Sequence, residues 1–156
     1  MAAVSFAVDT MLGRLARWLR ILGHDAAYGP HLHGPGLVAC ARREGRMILT
    51  RDTRLVRDRH CPPHVFVTSD RFRDQLREVA AVVPLARDAA FTRCVECNEA
   101  LVDVERTSVR TRVPPFVFET QTHFWTCPAC ARVYWPATHH ARMRAELAAL
   151  GLPLVA

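Results

Sequence analysis

Two Cys-x-x-Cys pairs, Cys94 and Cys97 in "CVECNEALV" and Cys127 and Cys130 in "FWTCPACARVYW", constrain this chain more than any other feature. One such turn lets two thiolates grip a tetrahedral ion, and two turns on facing hairpins complete a four-sulfur shell. The 29 residues between Cys97 and Cys127 exceed the roughly 15–20 of the tightest pattern, yet a three-stranded ribbon tolerates an insertion between its knuckles. Four thiolates leave no open coordination position, so the expected Zn²⁺ is structural. The competing reading, a thioredoxin-type redox pair, belongs once at a helix N-terminus in a βαβ setting, and neither pair has that setting. The cysteines therefore staple a segment too small to fold on a core of its own, and the chemistry is to be sought elsewhere.

With 156 residues there is room for one well-packed domain and a small appendage. Half the residues are hydrophobic and no segment is of low complexity, which excludes a disordered chain. The opening "MAAVSFAV" lacks a basic flank and ends at Asp9. It reads as a strand and not as a signal peptide or membrane span, so a cytoplasmic protein is expected. The net charge is +6 and every basic residue is arginine, with 14 Arg against 9 acids in residues 1–90. Arginine forks suit phosphates, although a chain without lysine also fits a coding bias that inflates arginine everywhere. Cys40 reads as a small buried helix residue and Cys61 as incidental.

Apolar runs alternate with helical patterns. Strands are expected at 4–8 ("VSFAV"), 46–50 ("RMILT") and 64–68 ("HVFVT"), and helices at 10–23, 37–45, 53–59 and 71–84. In the first helix Met11, Leu15, Trp18, Leu19 and Leu22 share one face, with Arg14 and Arg17 on a neighbouring stripe. Residues 24–36 read as a loop and 85–93 as a linker. Strands alternating with helices point to an α/β domain with a parallel sheet covered on both faces. Beyond residue 91, "TSVRTRV", "PFVFET" and "FWTC" read as short extended pieces, and 137–151 as an amphipathic helix. The expected division is 1–90 for the sheet domain, 91–136 for the ribbon and 137–156 for the C-terminal helix and tail.

An aspartate follows each of three proposed strands: Asp9 in "FAVD", Asp52 in "ILTRD" and Asp70 in "FVTSD". The carboxyl ends of parallel strands lie along one edge, where ligand sites form, so the three can converge. Converging carboxylates repel one another unless a cation lies between them, and hard oxygen donors favour Mg²⁺ or Mn²⁺. Each Asp also precedes a helix and is equally placed to cap it.

The stretch "FAVDTMLGRLARWLRILGHDAAYG", followed by "EGRMILTRD" and two Cys-x-x-Cys pairs, resembles the Mut7-C RNase domain family over nearly the whole chain. The resemblance implies a PIN-like three-layer fold with a small β zinc ribbon behind it. It also implies metal-dependent RNA cleavage, with Asp9 and Asp52 as matched acidic positions and Asp70 as a third. Arg14 and Arg17 lie in the same motif and suit RNA phosphates, as does Arg51 beside Asp52. One departure stands out: family members carry acidic residues at the start of the second helix, where this chain has Gly34, Pro35 and Gly36. Two functions from different classes follow. One is a metal-dependent ribonuclease; the other is a non-catalytic RNA-binding or adaptor module with a degenerate acidic site. A phosphatase of the haloacid dehalogenase type needs a second Asp two residues after the first, and Met11 stands there.

Overall fold

A computed structural model describes residues 3–86, 89–136, 138–152 and 154–155 of the chain. Its main sheet holds four parallel strands in the order β2-β1-β3-β4: β1 is Phe6–Val8, β2 Ala26–Ala27, β3 Met47–Thr50 and β4 His64–Phe66. Between them run α1 (Gly13–Ile21), α2 (Gly34–Glu44) and α3 (Thr53–Arg57), and α4 (Phe72–Val82) follows. Strand alternation divides the core in two. Phe6, Val8, Leu49, Val65 and Val67 pack under α1 and α4, against Leu15, Leu19, Leu76 and Val79. Ala7 and Ile48 face the other way, onto Leu37, Cys40 and Ala41 of α2. The α/β class and a parallel sheet with a layer on each face are thus present, and Cys40 is buried as expected.

Several local expectations are corrected. Met11 is 56% exposed, and Leu12 takes the buried place. Residues Thr10–Leu12 form a 3-10 turn before α1 begins, which shifts the helical phase by one position. Helix α2 starts at Gly34 and not at 37, because Pro35 suits a first helical turn. The expected loop before it contains β2, too short at two residues to show a period. The linker reading fails at its start. Leu85 is fully buried, and β5 (Leu85–Ala86) pairs in parallel with β9 (Leu154–Val155). Helix α6 (Thr138–Ala149) also returns to the main core through Leu147, with Leu150 just beyond it. Arg73 pairs with Glu146, and Arg77 Nε donates to Leu150 O at 3.1 Å.

The remaining unit is an antiparallel sheet ordered β6-β7-β8, with β6 at Val102–Val104, β7 at Phe124–Thr126 and β8 at Val133–Tyr134. "FWTC" is extended as expected, but "PFVFET" is helix α5 (Pro115–Thr120) and "TSVRTRV" opens with a 3-10 turn at Arg106–Val109. Pro115 in the first turn presets helical φ. The apolar residues that mimic a strand are divided by the helix: Val117 and Phe118 pack on Val109, Val113 and Phe124, while Phe116 is 74% exposed.

Candidate functional site

The acids first. Asp9 directly follows β1, Asp52 lies two residues beyond β3, and Asp70 ends the turn from β4 to α4. Strands β1, β3 and β4 are neighbours, so the three residues stand along one carboxyl edge. The chain runs from β1 to β2 on one side and reaches β3 on the other. The switch point therefore lies between Asp9 and Asp52, where open α/β sheets place ligands.

Asp9 is only 1% exposed. Its Oδ2 accepts from Thr50 Oγ1 at 2.7 Å, and its Oδ1 accepts weakly from Thr10 Oγ1 at 3.4 Å. Thr50, fully buried, also accepts from the Asp52 backbone N–H at 2.9 Å. One hydroxyl thus ties the two acidic positions together. Sequence reasoning missed Thr50; the signal was there in "LTRD", a polar residue at the inward end of an apolar strand. Asp52 caps α3, its Oδ1 accepting from Arg54 N (2.9 Å) and Leu55 N (3.3 Å). The capping reading is therefore realised at Asp52, and its second oxygen accepts no hydrogen bond from the described residues. At Asp9 no side-chain cap bond forms. Asp70 makes no side-chain hydrogen bond or ion pair among the described residues and borders a different cleft from Asp52. Its loop is anchored by Glu78, which accepts from Thr68 N, Thr68 Oγ1 and Ser69 N at 2.7–2.9 Å, and by Gln75 Nε2 donating to Ser69 O at 2.9 Å. Among the described residues, the three carboxylates do not form a ready cluster of the kind that the cysteines do.

The start of α2 explains what stands where acids were expected. Gly34 has φ of +50°, a left-handed conformation that disfavours other residues. A Cβ at Gly36 would lie 2.3 Å from His31 O, so no side chain fits there without moving backbone.

The arginines divide. Arg14 is exposed and stacks over Phe72 with its guanidinium carbon 4.0 Å from the ring centre. Arg17 pairs with Glu96 at 3.3 Å, which draws it toward the first cysteine turn. Arg51 is exposed at the edge, with one bond to Thr68 O at 3.3 Å.

At the second centre, the four sulfur atoms of Cys94, Cys97, Cys127 and Cys130 all lie within 4.8 Å of one another. Cys94 Sγ and Cys130 Sγ are 3.9 Å apart, close to the about 3.8 Å edge of a tetrahedron with Zn–S bonds of about 2.3 Å. The two turns are built alike. Asn98 N donates to Cys94 O and Ala131 N to Cys127 O, and both Asn98 and Ala131 adopt positive φ, 66° and 62°. Within the cluster, the backbone N–H of Arg132 pulls the Cys130 thiol down to about 7. Hydrogen bonding with Cys130 pushes Cys97 up to about 12, and burial raises Cys127. Adjacent thiols that share protons in this way are a donor set suited to a soft cation that displaces them. Tyr134 reaches Cys94 Sγ with its hydroxyl at 3.0 Å, and Trp135 meets Phe124 edge-on; these aromatics line the ribbon.

The ribbon is held to the sheet unit by Arg20, 6% exposed. Its Nε donates to Ala26 O (3.0 Å), and its Nη1 to Val95 O (2.8 Å) and Glu96 O (3.2 Å). Asn98 completes the dock: its Oδ1 accepts from Ala26 N at 2.9 Å and its Nδ2 donates to Asp25 Oδ1 at 2.6 Å. Burial disfavours the charged Asp25 carboxylate, but bonds from Arg46 and Asn98 outweigh it and hold the group below the ordinary range.

No helix among the described residues is long and apolar enough to cross a membrane. Neither a curated protein nor a solved structure matches the chain. The family model of the Mut7-C RNAse domain matches residues 4–147, which take in the acidic edge and all four cysteines, and the chain belongs to that family.

Proposed function

We propose that the protein is a metal-dependent ribonuclease that hydrolyses RNA phosphodiesters at the carboxyl edge of β1, β3 and β4, and that its four cysteines hold a structural Zn²⁺. The observation that carries the first part is Asp9: a carboxylate almost wholly withdrawn from solvent, with hydroxyl donors but no cation partner among the described residues. Buried carboxylates are rarely left unpaired. Asp52 and Asp70 on the same edge also have no ion-pair partner among the described residues, in a chain rich in arginine. The donors are all hard oxygens, which fits Mg²⁺ or Mn²⁺. Asp9, Asp52 and Asp70 would hold the ion, which when bound activates water and steadies charge on the phosphodiester. Thr50 keeps the Asp9 carboxylate turned toward the switch point. Arg14 and Arg51, both exposed and without an ion-pair partner among the described residues, present guanidinium groups to the RNA backbone. The doubly covered parallel sheet supports a PIN-like arrangement of these parts.

The test is cleavage of labelled single-stranded and structured RNAs in Mn²⁺, Mg²⁺ or EDTA, with Asp9→Asn in parallel. Metal-dependent cleavage that falls at least about 100-fold in the variant upholds the reading. Equal RNA binding without cleavage in any metal turns it over to the second reading, an RNA-binding adaptor. The observation favouring that alternative is the tight Gly34-Pro35-Gly36 turn, which holds no carboxylate and has no room for one at 36.

A further inference from the structure

On the α1/α4 face, beside Asp70, lies a cleft of about 590 Å³ bordered by Met11, Arg14, Arg71, Phe72, Arg73 and Arg77. Its arginines are not equivalent. Arg77 is spent on Asp74 at 2.8 Å and Arg73 on Glu146. Arg14 and Arg71 have no ion-pair partner among the described residues, and both are exposed. Arg14 lies over Phe72, which is itself stacked on Trp18 with ring centres 5.5 Å apart. Stacking a guanidinium on a ring restrains it while leaving its N–H edge free, so this arginine loses little further freedom on meeting an anion. The carboxylates facing the cleft are Asp74, already paired, and Asp70. Two uncommitted guanidinium groups therefore meet one uncommitted acid.

We infer that this cleft is the backbone clamp for the RNA strand, in which Arg14 and Arg71 take successive phosphates before the strand passes Asp70. The assignment rests on the ribonuclease reading for the identity of the strand and adds where it is held and how it is read. Phe72 is buried under the arginines, so it offers no face on which a base can stack, and the grip is electrostatic and indifferent to sequence. Arg17, held by Glu96, lies outside the clamp. Forked contacts to phosphate suit arginine better than lysine.

The test is equilibrium binding of a labelled single-stranded RNA, measured by fluorescence anisotropy in EDTA across a salt series, so that cleavage plays no part. Each neutralised phosphate contact adds about 0.7 to the slope of log affinity against log salt for a single strand. Arg14→Gln and Arg71→Gln should each weaken binding severalfold and flatten the slope by about 0.7, and the double variant by about 1.4. Arg57→Gln removes an exposed charge outside the cleft and should leave the slope in place. Arg14→Lys keeps the charge but loses the fork, and should recover only part of the affinity. A folded double variant with unchanged affinity and slope overturns the clamp. So does a loss confined to one base composition, or a loss seen with RNA but not with DNA of the same sequence, since either means that more than the backbone is read. Failure of the ribonuclease reading is seen separately, as absent cleavage in Mn²⁺ or Mg²⁺ with these binding losses intact.

Discussion

The parallel-sheet unit and the ribbon spend their residues differently. Beneath α1 and α4 a continuous core runs from Phe6 on β1 to Leu150 just after α6. The ribbon buries only Val109, Val113 and Phe124 in a cluster of its own. The first unit is held by apolar area removed from water, at about 25 cal/mol per Å². The second lacks that area and gathers four sulfur atoms instead. The acidic edge lies on the unit with the larger core, while the four-cysteine unit is pinned to it through Arg20 and Asn98.

The largest effect that can break this contrast is removal of the sulfur clamp. Cys94→Ser, or a strong chelator, should unfold the ribbon and leave the sheet unit standing, because a structural Zn²⁺ supplies on the order of 10 kcal/mol to such a segment. Metal content and the near-ultraviolet circular dichroism of Trp125 and Trp135 report the ribbon; thermal melting reports the rest. A zinc-free Cys94→Ser protein with an unchanged ribbon signal would overturn the structural role of the metal. Next in size, Leu76→Ala removes a fully buried side chain from the main core and should cost about 2–5 kcal/mol in denaturant unfolding. Metal retention under native conditions should stay as it was.

Cutting the dock sharpens the comparison further. Arg20→Met keeps much of the buried stem but deletes three hydrogen bonds to carbonyls. A destabilisation of roughly 2–3 kcal/mol is expected, together with faster proteolysis at the junction near residues 89–93 and little change in bound zinc. The smallest effect concerns pH. Asp25 has a folded pKa below its unfolded value of about 3.9, so its contribution is present above about pH 4 and is lost as pH falls through the folded value. Asp25→Asn should flatten that acid limb, read as the difference between variant and native melting from pH 6 to 2. Parallel curves would remove Asp25 from the dock.

Much of the sheet unit was legible in the sequence. β1, β3, β4 and the helices between them carry strong periods, and the alternation of apolar strand and amphipathic helix leaves few other arrangements. Short elements were not: β2, β5, β8 and β9 span two residues each and exist only because tertiary packing brings a partner strand alongside, β1 for β2, β7 for β8, and β5 and β9 for each other. Helix α5 was misread because "PFVFET" looks the same to a period-two and a one-turn helical pattern, and only packing on Val109 and Phe124 decides. Along the carboxyl edge, the places of Asp9, Asp52 and Asp70 after β1, β3 and β4 are those the sequence leads one to expect. Thr50 was not singled out: its one mark, a polar residue closing an apolar strand, carries no spacing that ties it to Asp9. Nothing local separates Arg20 from Arg14 and Arg17; its burial depends on a segment about 75 residues away.

What the sequence determined alone is the chemistry with local causes: the paired cysteine turns, whose grip follows from two residues of spacing, the strand and helix periods, and the acids at strand ends. Tertiary structure decided which charges remain available. It placed Arg20 under the ribbon, spent Arg17 on Glu96 and Arg73 on Glu146, and left Arg14 and Arg71 beside Asp70 with no ion-pair partner among the described residues. Spacing along a chain sets which groups can share a turn or a face. The partner that a long, flexible cation finally meets depends on segments brought together only when the apolar core closes.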